Sequence, residues 1–234
     1  MDDREVRGLR RTYRRFPAKI LARGLTMRNV LSALILTLVV TAFRAAPVAD
    51  AAESGDCVRG NSSAPIKIEV FSDFQCPACQ AFYIKTMRNI LTEYADTGKA
   101  CVVYHEFPLE TIHPNARKAA RYGHAAMRVG LHQWGQVADA LFENQMMWSS
   151  TGNIESFIES ALSKSDFDAL KKELANASSL DAAIDADVKL GIERGVNSTP
   201  TFFVTANGKT EKVAAAVQYQ IFKRYLDSQL AKGN

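Results

Sequence analysis

Two cysteines separated by two residues, Cys76 and Cys79, stand between a strand-like and a helix-like run of the chain. The run before them, Ile66–Phe71, is rich in β-branched and aromatic residues. Pro77, between them, suits the first position of a helix, where the missing N–H is not needed. Such a pair can be half of a metal site, a structural cross-link or a redox couple. The rest of the chain must decide between these roles.

Length and charge set the first limits. The chain has 234 residues, 47% of them hydrophobic and 23% charged, which predicts one globular domain with or without an insertion. Residues 1–51 hold ten Lys or Arg against four Asp or Glu, so the other residues carry a slight acidic excess. The basic balance belongs to the N-terminus, and no nucleic-acid partner is expected.

The N-terminal segment has the layout of an export signal. Basic residues up to Arg28 precede the apolar run 30–43, and Ala49-Asp50-Ala51 forms a small-x-small cleavage site. The apolar run is shorter than the roughly 20 residues that span a bilayer. We predict a signal peptide over residues 1–51, with Met27 as a candidate start, and a periplasmic or other extracytoplasmic location. A membrane-anchored form stays open.

The predicted elements follow the order β-α-β, a block of helices, then β-β-α. Residues 111–194 carry no strand signal and contain capping-box patterns, such as Ser165 with Asp168 and Ser178 with Asp181. This order predicts an α/β protein with a thioredoxin-like fold and an inserted all-helical domain. The predicted parts are a flexible lead-in (52–64), the first part of the thioredoxin-like domain (65–110), the helical insertion (111–194) and the second part (195–234).

The sequence places Cys76 where its sulfur can attack as a thiolate. At the start of a helix, unpaired N–H groups and the positive end of the helix dipole favour thiolate over thiol. Cysteines so placed have pKa values of roughly 3.5–7.5. Cys79 lies one turn further on the same helical face, within reach of a disulfide. We predict Cys76 as the nucleophile and Cys79 as the resolving thiol of a redox couple.

Other roles for the pair are weaker. A zinc site needs four ligands, and Cys57 and Cys101 lack the spacing of a second pair, so no metal is predicted. A static bridge remains an alternative. A Cys–His hydrolase that uses one of the four histidines is disfavoured, because a C-x-x-C partner would oxidise the nucleophile in an exported protein. His113 is instead predicted to cap the helix that follows Pro114.

A second feature predicts a binding loop. Thr199-Pro200 comes immediately before the strand 201–205, and X–Pro bonds are the usual site of cis peptides. In a thioredoxin-like sheet such a loop faces the cysteine pair and leaves backbone groups free for an extended peptide. A trans proline that only starts a strand is the alternative that the residues leave open.

Several segments together carry a resemblance to a known family. They are FSDFQCPAC, HEFPLETIHPNARKAARYGHAAM, ALFENQ with Trp134 and Trp148 on either side, and GVNSTPTFFV with Asn207-Gly208. Over about residues 64–230 the chain resembles the DsbA-type thiol:disulfide oxidoreductases, in the branch with a thioredoxin-4-like domain. The resemblance implies Cys76 as nucleophile, Cys79 as resolving cysteine, Pro77-Ala78 as the dipeptide that tunes the potential, and Thr199-Pro200 as a cis-proline loop that contacts substrate.

The chain departs from the family pattern at two places. The dipeptide Pro77-Ala78 lacks the histidine of the strongest oxidants, which leaves open how far the thiolate is stabilised. The family often has an acidic residue six positions before the first cysteine, and here that residue is Val70. Glu69 and Asp73 are nearby, so the carboxylate that relays protons under the disulfide is not assigned by the sequence.

The remaining cysteines and large apolar residues have open roles. Cys57 and Cys101 can form a structural disulfide in an oxidising compartment, and a buried free Cys101 is the alternative. A methionine-rich edge near the active site could receive varied unfolded clients, but core packing is the favoured role. The residues concerned are Trp134, Phe142, Met146, Met147 and Trp148.

These observations predict an exported, monomeric enzyme that introduces disulfides into secreted or periplasmic proteins through Cys76 and Cys79. Reduced or unfolded exported proteins are the expected clients, and a quinone-linked membrane oxidase is the expected partner. No bound cofactor is expected. The alternatives are a disulfide isomerase or reductase, or a non-enzymatic metal-binding module of thioredoxin-like fold.

Overall fold

The computed structural model describes residues 56–233, which form a five-stranded mixed sheet with helices on both faces. The predicted signal peptide lies outside the described residues. The order of strands across the sheet is β1-β3-β2-β4-β5. The strands are β1 (Arg59–Gly60), β2 (Ile66–Ser72), β3 (Ala100–Glu106), β4 (Thr201–Ala206) and β5 (Lys209–Val213).

The described residues contain eight helical segments. Helix α1 starts as Pro77–Phe82 and continues through a π-helical stretch (Tyr83–Met87), an α-helical turn (Arg88–Ile90) and a second π-helical stretch (Leu91–Ala95). Gly98 follows at φ +74°, a conformation that suits glycine and ends the run. The others are α2 (Ala116–Val129), α3 (Leu131–Glu143), α4 (Gln145–Trp148), α5 (Glu155–Ala161), α6 (Lys164–Leu174), α7 (Ala177–Glu193) and α8 (Tyr219–Gly233).

Strands β2 and β3 are almost entirely buried, and their buried side chains include charged as well as apolar groups. Strand β2 pairs in parallel with β3, with Val70 opposite Tyr104 and Ser72 opposite Glu106. Partners in register share a face, so the side chains of the pairs alternate between the two sides of the sheet. This alternation decides which groups lie under the cysteines.

One face of the sheet carries the larger apolar core. Phe82 of α1 stacks on Phe202 of β4 at a centroid distance of 5.3 Å, and Phe222 of α8 packs on the same ring at 4.9 Å. Cys79 belongs to this core. We call this side the α1 face.

The opposite face is covered by α7 and mixes aromatic and charged groups. Phe71 packs at 5.8 Å from Phe203, and the Arg194 guanidinium lies 3.7 Å above the Phe203 ring. His105 and Glu69 also lie on this side. We call it the α7 face.

The order of elements in the middle of the chain agrees with the prediction, but several helix starts differ. The cap of α6 is Ser163, whose hydroxyl accepts from the Asp166 N–H at 3.2 Å, so the predicted Ser165 box was wrong by two residues. The predicted box at Ser178 was also wrong, because the N-cap position of α7 is Asn176, and its side chain makes no capping hydrogen bond. Several Ser and Asp residues stand near each start, and packing selects among them.

Strand β1 was not part of the prediction and lies inside the predicted lead-in. It pairs antiparallel with β3, with Gly60 opposite Cys101. A side chain at Gly60 would overlap the Ala100 carbonyl oxygen, so only glycine allows this close approach. A disulfide joins Cys57 to Cys101, with Cα atoms 5.3 Å apart, and so fastens the start of the described chain to the sheet.

Within residues 56–233, no helix has both the length and the apolar character needed to cross a bilayer.

We expect the double change Cys57→Ala with Cys101→Ala to lower the free energy of unfolding by about 2–4 kcal/mol, because the bridge closes a loop over a sequence separation of 44 residues. Denaturant unfolding of the mature protein under oxidising conditions measures this. The same measurement under reducing conditions is the control, and there the variant should differ little from the parent. An unchanged midpoint under oxidising conditions would contradict a stabilising bridge.

Candidate active site

The two cysteines lie at the start of α1, where β2 ends. Cys76 is the residue before the first helical position, with extended φ and ψ of −74° and 122°, and Pro77 occupies the first helical position. The Cys76 carbonyl accepts from the Gln80 N–H at 3.0 Å, the first bond of the helix. Cys76 is 7% exposed and Cys79 1% exposed, and both are free thiols. Pro77 and Ala78 are exposed between them.

The surroundings separate the two sulfurs in acidity. The pKa of Cys76 is lowered to about 5, first by the hydrogen bond with the Cys79 thiol, and also by the Thr199 side chain and the N–H groups of Cys79 and Ala78. Burial opposes this shift. Burial also raises the pKa of Cys79 well above its ordinary value, and the Cys76 sulfur raises it further. A reduced pair therefore holds a thiolate at Cys76 and a thiol at Cys79 at neutral pH.

The loop that carries Cys76 is fixed by a buried carboxylate. Asp73 Oδ1 accepts from the Gln75 N–H at 2.7 Å, and its Oδ2 accepts from the Leu109 N–H at 3.0 Å. His113 Nδ1 lies 2.6 Å from the same Oδ2. His113 therefore pairs with Asp73 and does not cap α2, which contradicts the predicted helix cap; the residue before that helix is Asn115.

The helical insertion also holds the loop. The buried Gln145 side chain donates to the carbonyl oxygens of Phe74 and Cys76, at 2.7 and 3.0 Å. The Gln75 carboxamide oxygen accepts from the Asn115 N–H at 2.7 Å. Helix α4 thus holds the backbone at Phe74 and Cys76, and the residue before α2 holds the Gln75 side chain between them. Sequence reasoning had assigned no role to either glutamine.

The structure brings the predicted proline loop next to the cysteine. The Thr199–Pro200 peptide bond is cis, and the Cys76 thiol donates to the Thr199 carbonyl oxygen at 3.6 Å. The Thr199 hydroxyl is buried and has no hydrogen-bond partner among the described residues. When Cys76 is ionised, this hydroxyl can rotate to donate to the thiolate, in line with its lowering of the Cys76 pKa.

The apolar residues considered in the sequence divide into two groups. Trp134, Phe142 and Trp148 are fully buried core residues. Met146 and Met147 are 83% and 66% exposed, so core packing was the wrong interpretation for both. They follow Gln145, whose side chain bonds to the Cys76 loop, in the short helix α4.

The two carboxylates considered as proton relays are occupied elsewhere. Glu69 lies on the α7 face, where Arg194 Nη1 is 3.0 Å from its Oε1. Asp73 makes the loop bonds described above. Glu106, which sequence reasoning did not single out, is a buried acid at the end of β3 that lies opposite Ser72 in register. No local motif marks it, because its partner strand is more than 30 residues away.

The histidines do not form a metal centre with the cysteines. His105 Nδ1 lies 2.8 Å from Asp187 Oδ1, and His124 Nε2 lies 3.0 Å from Oδ2 of the same carboxylate. Across residues 56–233, no group of three or more His, Cys, Asp or Glu side chains is arranged to hold a metal ion.

The family model Thioredoxin_4, described as thioredoxin, matches residues 52–228. The chain belongs to this family. A match over most of the chain that includes the sheet, the insertion and the cysteine pair decides the assignment.

Individual proteins are also similar in sequence to this Thioredoxin_4 protein. It is 24% identical to "Probable disulfide bond formation protein D" of Bacillus cereus over 74% of this chain and 78% of the relative. It is 31% identical to "Na(+)/H(+) antiporter NhaA 1" of Mycolicibacterium gilvum over 67% of this chain but 24% of the antiporter. The antiporter match therefore concerns a segment of a much longer protein.

A solved structure gives the same fold. The alpha-DsbA1 structure from Wolbachia pipientis superposes with a TM-score of 0.62 at 23% identity, over 74% of this chain and 90% of that one. The predicted fold class, thioredoxin-like with a helical insertion, is confirmed. The predicted resemblance to the DsbA-type thiol:disulfide oxidoreductases is confirmed as well. The predicted enzyme class, thiol:disulfide oxidoreductase, is also confirmed.

Replacing Thr199→Val should raise the pKa of Cys76 by about one to two units, because a hydrogen bond to a charged group contributes about 1.5–3 kcal/mol and one pKa unit corresponds to about 1.36 kcal/mol. The pH dependence of the alkylation rate of Cys76 measures the shift. Thr201→Val is the matched control, since the Thr201 hydroxyl donates to the Ser198 carbonyl oxygen at 2.8 Å. Equal shifts in both variants would contradict a direct bond from Thr199.

The reduced protein should gain stability relative to the oxidised protein as pH rises from 4 to 7. The pKa of Cys76 is about 5 when folded, against an ordinary value of 9.0. Its contribution is therefore complete only above pH 9 and is lost as pH falls through about 5. Thermal unfolding of both redox forms across this range measures the difference. A Cys76→Ser variant lacks the ionisable sulfur. The difference in stability between this variant and the oxidised parent should therefore depend much less on pH.

Proposed function

We propose that the chain is an exported protein thiol:disulfide oxidoreductase that donates the Cys76–Cys79 disulfide to reduced client proteins. The observation that carries the proposal is the placement of the pair: Cys76 immediately precedes α1 with its sulfur 3.6 Å from the Thr199 carbonyl oxygen, and Cys79 is 1% exposed. This placement lowers the pKa of Cys76 to about 5 and raises that of Cys79 well above its ordinary value. Stabilising the Cys76 thiolate stabilises the reduced pair. A pair that is stable when reduced gives its disulfide away readily.

The proposed reaction has two exchanges. A client thiolate attacks the Cys76 sulfur, the Cys76–Cys79 bond breaks, and Cys79 leaves as a thiolate that takes up a proton. A second client thiolate then attacks the client sulfur of the mixed disulfide, and Cys76 leaves as its stable thiolate. The client is oxidised by two electrons and the enzyme is reduced by two. No bound cofactor is needed, and a quinone-linked membrane oxidase is the proposed partner that restores the disulfide.

The surroundings of Cys76 support protein clients. The exposed Met146 and Met147 follow Gln145, whose side chain bonds to the cysteine loop, and methionine side chains adapt to varied apolar partners. We propose that Thr199-Pro200 supports an extended client segment beside Cys76. The names of relatives, disulfide bond formation protein D and alpha-DsbA1, support an extracytoplasmic site of action. We propose that the protein acts there as a monomer after removal of residues 1–51.

The direction of the reaction is tested by equilibrating the mature protein, residues 52–234, with glutathione redox buffers and counting free thiols by alkylation and mass. We expect a potential well above the value of about −270 mV that is typical of thioredoxin. A potential near thioredoxin's would favour a reductase or isomerase. A pair that does not exchange with glutathione at all would rule out the proposed function.

Two variants, each lacking one of the two active-site cysteines, test the roles of the two sulfurs. Cys79→Ala keeps the attacking thiolate and lacks the resolving thiol, so it should accumulate a mixed disulfide with an oxidised, cysteine-containing peptide. Cys76→Ala keeps only the buried Cys79, which is 1% exposed, and should form little adduct. Comparable adduct formation by both would contradict the assignment of Cys76.

A further inference from the structure

His113 contacts the cysteine loop from outside it. It lies in the turn between β3 and α2, 40 residues after Asp73. The turn holds its backbone, because the His113 N–H donates to the Leu109 carbonyl oxygen at 2.9 Å and the His113 carbonyl oxygen accepts from the Ala116 N–H at 3.1 Å. The side chain is 16% exposed, and its Nδ1 atom lies 2.6 Å from Asp73 Oδ2. A residue near the surface is thus connected to a buried carboxylate.

The hydrogen of this contact lies on the ring. Asp73 Oδ2 also accepts from the Leu109 N–H at 3.0 Å, and a carboxylate oxygen only accepts, so His113 Nδ1 must donate. The Asp73 side chain is 0% exposed and receives three donors, the Gln75 N–H, the Leu109 N–H and the His113 ring. A buried charge depends on such donors, because it has lost its hydrogen bonds to water. Without the ring, the carboxylate is held on one side only by Leu109.

Asp73 in turn acts on both active-site cysteines through its main chain. Its carbonyl oxygen accepts from the Cys76 N–H at 3.0 Å. Its own N–H lowers the pKa of the Cys79 thiol, although burial, the largest effect, raises that pKa. A rotation of Asp73 would therefore move Cys76 relative to Cys79 and to the Thr199 carbonyl oxygen, which lies 3.6 Å from the Cys76 sulfur.

We propose that His113 is a positioning residue that holds the Asp73 carboxylate, keeps the Cys76 sulfur aligned with the start of α1 and so sets the redox potential of the pair. This inference rests on the proposed function and adds a residue that does not touch the reacting sulfurs. The thiolate at Cys76 is stabilised by the Cys79 thiol, by the Thr199 side chain and by the N–H groups of Cys79 and Ala78. All of these require that Cys76 keep its place.

The alternative is a role in stability alone. A hydrogen bond to a buried carboxylate stabilises the fold whether or not it affects the cysteines. A purely structural bond contributes equally to the oxidised and the reduced protein, so its loss leaves the redox potential unchanged. A positioning bond contributes more to the reduced protein, because only that form carries the thiolate.

His113→Leu removes the donor and tests the proposal. We expect the pKa of Cys76, measured by the pH dependence of its alkylation rate, to rise by about one unit, which is about a tenfold weaker stabilisation of the thiolate. The equilibrium constant for oxidation of glutathione by the pair should fall by about tenfold, or about 30 mV in potential. The two shifts should agree in size, because the thiolate is common to both.

Two further variants identify the ring atom that acts. In His113→Asn the amide nitrogen can take the place of Nδ1 and donate to Asp73. In His113→Gln the amide lies one carbon further out, nearer the place of Nε2. We expect Asn to recover most of the parent's pKa and potential, and Gln to resemble Leu. If His113→Leu does not fold, His113→Gln takes its place, and equal values for Asn and the variant without the donor would overturn the proposal.

The matched control is His124→Leu, on α2. The His124 side chain is 13% exposed, and its Nε2 atom lies 3.0 Å from Oδ2 of the buried Asp187, which also pairs with His105 on the α7 face. This change removes the same kind of ring–carboxylate contact without touching the cysteine loop. We expect a lower free energy of unfolding with the parent's pKa and potential. Equal shifts in His124→Leu and His113→Leu would show a general disturbance and overturn the proposal.

The two measurements also separate this inference from the proposed function, because alkylation of Cys76 needs only the reduced protein. If the parent exchanges with glutathione and His113→Leu keeps the parent's pKa and potential, the positioning role is wrong and the proposed function stands. If the parent does not exchange, the proposed function fails, and an unchanged pKa of Cys76 in His113→Leu would still overturn the positioning role.

Discussion

The active site depends on one interaction, the stabilisation of a negative charge on the Cys76 sulfur at the start of α1. Cys76 stands where helix N–H groups are unpaired, and the hydrogen bond with the Cys79 thiol and the neighbouring Thr199 side chain lower its pKa to about 5. These donors act only if the loop before the helix keeps its shape. Asp73 and Gln145 fix that loop by bonds to its backbone N–H and carbonyl groups. The Asp73 carboxylate and the Gln145 carboxamide, which belongs to the helical insertion, thus help to maintain the low pKa of Cys76.

The sheet separates two kinds of buried polar groups. On the α7 face, Glu69 pairs with Arg194 and His105 pairs with Asp187. The pKa of Glu69 is lowered to about 2 despite burial, because His105, whose Nε2 lies 3.7 Å away, and Arg194, which bonds to it, favour the charged carboxylate. Paired charges tolerate a low dielectric. On the α1 face, Cys79, Tyr104 and Glu106 lie in apolar surroundings and keep their protons. Charges are therefore balanced by ion pairs on the α7 face, whereas these three groups on the α1 face stay neutral.

Much of the fold could be predicted because its signals are local. The apolar runs of β2 and β3, Pro77 at the first position of α1, and the turn at Asn207-Gly208 are each specified by residues close in sequence. The cysteine pair and its likeness to a known family indicated the chemistry. Helix caps were less well predicted: Ser163, not Ser165, caps α6, since several residues can satisfy the same N–H groups and packing selects one.

The sequence by itself determined the order of elements, the position of Cys76 at a helix start and the chemical type of the pair. Only the tertiary structure decided which distant groups act on it. Thr199 lies against Cys76 although the two residues are 123 positions apart in the chain. Local rules describe contacts within about one helical turn or one strand pair. Burial and unpaired hydrogen-bonding groups, which set acidity, arise only when separate segments exclude water together.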